Sequence, residues 1–433
     1  MSIPLDRLYH YIESIAQEIC ESNVVIYRFY PHGSKKVEDL GYLRTQDWQE
    51  EAVIPHIYCN DQEPLNFNLY DCCYNADPPY TQSVKNHKIE VPNLNFRRGY
   101  FINIYDQCLL LHSEKRSEQL DRYRSAEFIP VYYWSHAIIA LDWFRYAEHI
   151  TQKKKVQQTF LVYNRAWSGT REYRLGFADR LIMLGLVDST LMRVSPIDSN
   201  LGKHYDLHQF KHPEWRPHNV IEKYFPLCEA ESHYSADFDQ GDYENTDIEI
   251  VLETLFDDLR LHLTEKTLRP IAMGQPFILA STYGSLKYLR EYGFKTFADC
   301  WDESYDMMSD SLERMNKIVE VMGNIISMSP DKQAEMLIQA QAIADYNKKH
   351  FFSKEFQKII TDELVCNLTA GLKELEDQNT SRLYINWRKD LGQHLHFKKY
   401  FLGQAAHHPY PSSDMIPILA KARKYYLRSL SQD

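Results

Sequence analysis

The sequence predicts an α/β protein made of two doubly wound domains facing a cleft, with a helical C-terminal extension. Three observations predict it. Short β-rich runs alternate with amphipathic helical patterns, which is how parallel sheets covered by helices are written. The alternation occurs twice, on either side of a solvated hinge-like run, QKKK, that ends at Lys155. Long helical patterns then extend from Asp302 to about Leu375, and beyond Asn379 the composition changes. The expected domains are therefore residues 1–155, 156–355 and 356–433.

In the first series the strand candidates are Asn23–Tyr30, Ile54–Asn60, Gln107–His112 and Phe128–Trp134. Each is a run of β-branched, aromatic or leucine residues bounded by polar ones. The last leads into SHAIIALDWFRYAEHI, whose apolar residues recur at helical spacing. The second series opens with a strand at Thr159–Ala166, then a helix from about Arg171 to Leu186 and a short strand near Leu191–Ser195. An irregular acidic stretch precedes a strand at Asp247–Glu253, a helix from Thr264 to Met273, and a strand at Pro276–Ala280. Gly274 and Pro276 punctuate that passage in the expected order, a glycine closing the helix and a proline that cannot continue it.

The 433 residues are 44% apolar and 25% charged, with 15 Gly and 18 Pro, which excludes a disordered or collagen-like chain. A net charge of −11 excludes a generally basic nucleic-acid coat but not a local basic patch. The N-terminus reads as an acidic amphipathic pattern rather than a leader, and no apolar window is long enough to span a bilayer. The eight cysteines are scattered without a CxxC, the usage of a reducing cytoplasm, and no zinc site is expected from them. No GxxxxGK[ST] or GxGxxG occurs, so kinase and dinucleotide readings lose their main support.

The segment richest in chemistry is LHLTEKTLRPIAMGQPFILASTYGSLKYL, Leu261 to Leu289. Thr264 caps a helix whose first turn carries Glu265 and Lys266. Such a start presents backbone N–H groups and partial positive charge to an anion. A carboxylate there suits ribose hydroxyls and an ammonium suits a diphosphate; the plainer alternative is a Glu265 that complements the helix dipole and a solvated Lys266.

This pattern, a Thr-Glu-Lys start, an apolar helix, Gly-Gln-Pro and a buried strand, resembles the nucleotide-sugar region of two-domain glycosyltransferases of the GT-B fold. It is most like the fucosyltransferase-like branch and its phage-encoded relatives. The resemblance covers about Thr159 to Tyr305 and implies that Glu265 and Lys266 hold the ribose and phosphates of a nucleotide diphosphate sugar, with no cofactor and no metal.

Other segments fit that frame. In LVYNRAWSGTREYRLGF (Leu161–Phe177) a strand ends in Asn164 and Arg165, and Arg171 and Arg174 follow a Ser-Gly-Thr turn. Guanidinium groups neutralise a departing diphosphate with fixed, bidentate geometry; the alternative places Arg171 and Arg174 on an exposed helix face. In HIYCNDQEPLNF (His56–Phe67), Pro64 biases Glu63 toward an extended loop, where it can take a proton from an acceptor hydroxyl. Glu63-Pro64 looks like the Glu-Ser-Pro signature of inverting fucosyltransferases without its serine, so Asp61 competes as base, and a simple Asx turn is the structural alternative. Glu114 and His136, each ending an apolar run, are reserve acceptor-side residues. Asp237 and Asp239 form an Asp-x-Asp that reads as an ordinary acidic loop.

From Arg382 onward nine Lys or Arg stand against three Asp, interleaved with Tyr384, Trp387, Phe397, Tyr400, Tyr425 and Tyr426. Cations neutralise phosphates and aromatics stack on bases; a terminal helix with its aromatics on the core is the plainer reading. The expectation is a cytoplasmic, metal-independent, inverting glycosyltransferase. Its acceptor is expected to be a hydroxylated base in phage DNA, with a surface glycan or protein hydroxyl as alternatives. A catalytically inactive binding protein of the same fold is the reading from another class.

Overall fold

The computed structural model describes residues 131–198, 201–225, 236 and 238–374. Before these it describes only 8, 12, 14–16, 18, 25–29, 56–60 and 108–117. The protein is mixed α/β and, among the described residues, has two four-stranded, wholly parallel sheets. It packs as two compact units. A central unit spans His136–Ile360; a flanking unit takes the chain up to Ser135 and resumes at Thr361. The division falls directly after the fourth strand, so the helix expected ahead of the QKKK hinge belongs to the central unit.

In the flanking unit β1 (Val25–Phe29), β2 (His56–Asn60), β3 (Cys108–His112) and β4 (Val131–Tyr133) pair in sequential order. Each lies inside its expected run. The chain order does not reverse among these described strands. Helical residues 361–374 cover the sheet: Asn367 donates to the Tyr133 carbonyl at 2.7 Å and the Tyr132 hydroxyl donates to Glu374 at 3.0 Å. Lys115 pairs with Glu363 and lies over the Tyr133 ring. Gly371 makes the close approach possible, since a Cβ there would sit 2.6 Å from Leu109 Cδ1.

The central unit begins with α1 (Ala137–Trp143), in which every residue from Ala137 to Asp142 is buried. Its sheet is β6-β5-β7-β8, formed by β5 (Gln158–Asn164), β6 (Thr190–Val194), β7 (Thr246–Leu252) and β8 (Phe277–Ala280). The strands run as near-continuous apolar stretches because both faces are covered. Between them come α2 (Tyr173–Met183), α3 (Gln240–Glu244) and α4 (Glu265–Met273). α5 (Ser285–Glu291) follows β8, and the long helical region divides into α6 (Ser311–Ile326) and α7 (Pro330–Phe351), with α8 over 354–374. Asp310 caps α6 by accepting from Glu313 N at 2.8 Å, and Pro330 opens α7, so these breaks have local causes.

The first strand of this sheet is internal: β5 connects outward to β6 on one side, and β7 leads to β8 on the other. The order therefore reverses between neighbouring β5 and β7. In open parallel sheets ligands bind in the crevice beyond the carboxyl ends of the strands at such a reversal. Among the described residues, no helix is long and apolar enough to cross a membrane.

Candidate functional site

The residues beyond the ends of β5 and β7 and at the start of α4 lie at this reversal, all within the central unit. β5 ends in Asn164, whose side chain is only 2% exposed. Among the described residues, neither its amide nitrogen nor its amide oxygen has a hydrogen-bond partner. Buried amides are almost always paired, so one that is not needs an explanation. Arg165 follows, half-buried, and Gly169 turns the chain in the left-handed region (φ 66°) before the 3-10 turn Gly169–Arg171. The turn is held by buried Asp198, which accepts from Trp167 N, Ser168 N and the Ser168 hydroxyl at 2.9 Å each.

Arg174 does not lie on an exposed helix face. It is buried, and its guanidinium donates to the carbonyls of Ala166 at 2.7 Å, Leu252 at 2.8 Å and Glu253 at 3.1 Å. It thus ties the loop after β5 to the end of β7. The reason is geometric: carbonyls left unpaired where two parallel strands stop require donors, and a forked guanidinium satisfies several at once. Arg171, at the end of the 3-10 turn, is half-buried.

Directly after β7, the buried carboxylate of Glu253 organises the start of α4. One oxygen accepts from Thr264 N at 2.9 Å, Thr267 N at 3.2 Å and the Thr267 hydroxyl at 2.6 Å. The other accepts from the Thr264 hydroxyl at 2.9 Å and Thr254 N at 3.1 Å. Thr264 is the N-cap, as its sequence position predicts, accepting from Lys266 N at 3.3 Å. These amides are therefore engaged within the protein. Glu253 already supplies at this helix end the negative charge that the dipole favours.

Glu265 is buried and accepts from Lys266 Nζ at 2.6 Å. Its other oxygen lies 3.7 Å from His136 Nε2, a buried imidazole at the start of α1. His136 also meets His262 edge to face at 6.1 Å. Burial, reinforced by His136 and Lys266, holds the His262 imidazole well below its ordinary titration range, so it is neutral. Farther along α4, Arg269 forms a buried pair with Glu249 of β7 at 2.6 Å and lies over the Tyr163 ring, which locks the helix to the sheet. Gly274 closes α4 with φ 69°, and the bonds from Gly274 N to Ile271 O and Gln275 N to Pro270 O complete the Schellman end.

The structure thus places Asn164, Arg165 and Arg171 at and beyond the end of β5, and Thr264, Glu265 and Lys266 at the start of α4 with His136 Nε2 3.7 Å from Glu265. Glu114 belongs to the flanking unit, buried past the end of β3, where its N–H donates to His112 Nδ1 at 2.9 Å. Glu63, Asp61, Asp237 and the basic aromatic tail lie outside the described residues. Asp239 caps α3 by accepting from Gly241 N at 2.7 Å, as a turn residue does. Sequence reasoning missed Glu253, His262 and the structural part of Arg174. A signal existed for two of them: IVLE ends a buried strand in a carboxylate, and LHL flanks a histidine with leucines. No protein-family model and no curated protein sequence matches the chain.

Proposed function

We propose that the protein is a glycosyltransferase that binds a nucleotide diphosphate sugar on its central unit and transfers the sugar to an acceptor hydroxyl. In this reading the two units are Rossmann-like domains facing a cleft, the GT-B arrangement that the resemblance implies. The observation that carries it is Asn164: a buried amide with both polar groups unpaired, at the carboxyl edge of a reversing parallel sheet. A ligand with its own donors and acceptors supplies what that amide lacks. Lys266, Arg165 and Arg171 then neutralise the diphosphate as it leaves, and Glu265, oriented by Lys266 and His136, accepts from ribose hydroxyls.

No step of this reading uses a metal, since the cations meet the leaving group directly. The base is Glu63, with Asp61 as its competitor, acting on an acceptor held by the flanking unit. Displacement in one step inverts the anomeric carbon. The acceptor we favour is a hydroxylated base in phage DNA, with a surface glycan or a protein as alternatives, and a cytoplasmic location goes with that acceptor. Calorimetry with a panel of nucleotide sugars, followed by donor-hydrolysis and transfer assays, tests the reading. Binding of one sugar nucleotide with turnover is expected, and Lys266→Ala is expected to weaken binding about tenfold or more, as loss of a charge-assisted contact does. Absence of binding across the panel overturns the transferase reading, whereas binding without turnover establishes the inactive binding protein.

A further inference from the structure

A second constellation in the central unit shares no residue with the proposed donor site. His212 caps the 3-10 turn Pro213–Trp215, and Glu214 sits within that turn. Asp257 comes from a different place, the loop that follows β7. The His212 Nδ1 atom lies 3.5 Å from Glu214 Oε1 and 3.4 Å from Asp257 Oδ2. One donor atom from each of the three lies within 4.8 Å of the others.

The two separations from His212 suit one small ion. With bonds of about 2.1 Å to nitrogen and oxygen, the edges of a tetrahedral site are about 3.4 Å long. An imidazole with two carboxylates is a borderline donor set that favours zinc-class transition ions over magnesium or calcium, which prefer oxygen alone. The side chains are 37%, 37% and 29% exposed, which leaves an ion open to solvent and free to keep water.

The supports behind the three residues are built rather than casual. The buried Glu172 carboxylate accepts from Lys211 N at 3.0 Å and His212 N at 3.2 Å, and it meets His208 Nε2 at 2.7 Å. That fixes the backbone carrying His212 and Glu214. Buried Trp215 donates from its indole to Asp257 Oδ2 at 3.2 Å, orienting the third carboxylate. Outer partners of this kind orient ligands in metal sites. Trp215 is itself wedged against Gly176 of α2, where a Cβ would lie 2.8 Å from the ring.

We propose that His212, Glu214 and Asp257 form a zinc-class divalent metal site that clamps the segment after β6 to the loop after β7. The ion takes no part in sugar transfer. It replaces a network in which one imidazole sits between two carboxylates.

The test uses the full chain, equilibrated with micromolar zinc in a weak chelator buffer and assayed by elemental analysis, beside His212→Ala and Glu214→Gln. With 18 histidines and eight cysteines in the chain, the difference between wild type and variants is the informative quantity. One equivalent is expected to be lost in H212A, and E214Q, a change at a solvent-facing position, is expected to bind about tenfold or more weakly. Cobalt substitution should give d–d absorption at this site without a thiolate charge-transfer band. Far-UV circular dichroism checks that both variants are folded. Equal metal content and affinity in wild type, H212A and E214Q overturns the proposal, and so does a wild type that takes up no zinc.

Discussion

If Asn164 meets the sugar nucleotide as proposed, stability and binding pull in opposite directions at this residue. Leaving two polar groups buried and unpaired costs about 1–3 kcal/mol each, so nothing in the packing alone accounts for an amide there. Asn164→Leu, similar in size and apolar, is expected to match or exceed the wild type in urea unfolding by about 1 kcal/mol while losing most affinity for the sugar nucleotide. Loss of stability with affinity retained would mean that the amide is structural. His262 makes a second prediction. The folded protein keeps this imidazole neutral below its ordinary range, whereas the unfolded chain protonates it as pH falls through about 6.5. The unfolded state then binds more protons, so this group lowers stability on acidification. His262→Gln is expected to lose less stability than wild type between about pH 7.5 and about pH 5, read from denaturation midpoints. Identical pH slopes would show that burial of His262 does not govern the acid limb.

At the scale of the element, α4 is a helix whose two ends are decided by different kinds of information. Its C-terminus is local: Gly274 adopts a left-handed φ, and its sequence position already marks it as the stop. Its N-terminus is local in Thr264 but long-range in Glu253, which receives five donors from Thr254, Thr264 and Thr267. Glu253→Gln keeps the shape but turns one accepting oxygen into a donor that faces other donors. A loss of about 2–4 kcal/mol is expected in equilibrium unfolding, with weaker sugar-nucleotide binding because Glu265 and Lys266 ride on this helix start. An unperturbed stability would show that the carboxylate does not hold the helix. All eight described strands fall within or beside the runs expected for them, because burial on both faces of a parallel sheet writes itself as contiguous apolar residues. The long helical patterns expected beyond Asp302 are separate helices, parted where the Asp310 cap opens α6 and Pro330 opens α7.

On the scale of the whole molecule, charge is distributed against a single uniform function. Removing residues 379–433, which carry a net +6, from a chain of −11 leaves −17. If the tail is what brings DNA to the protein, the shortened chain should lose both affinity and the salt dependence of binding. Each phosphate contact contributes about 0.9 to the slope of log K against log salt. Binding isotherms at several salt concentrations check this, and an unchanged slope removes DNA as the partner of the tail. Surface-glycan or protein acceptors predict that unchanged slope.

What the sequence determined by itself is the approximate place of the eight described strands, the caps at Thr264 and Gly274, and the placing of cations and a Glu-Lys pair near two strand ends. Those are consequences of short-range chemistry, namely side-chain period, φ preference and N–H capping, which neighbouring residues are enough to dictate. Only the tertiary structure decided the β6-β5-β7-β8 order, the burial of Arg174, the engagement of Glu253 and the meeting of His212 with Asp257. Each of these joins residues far apart in the chain. A charged side chain has the same local signature whether it ends in water or among the carbonyls of two strand ends, and packing alone distinguishes the two.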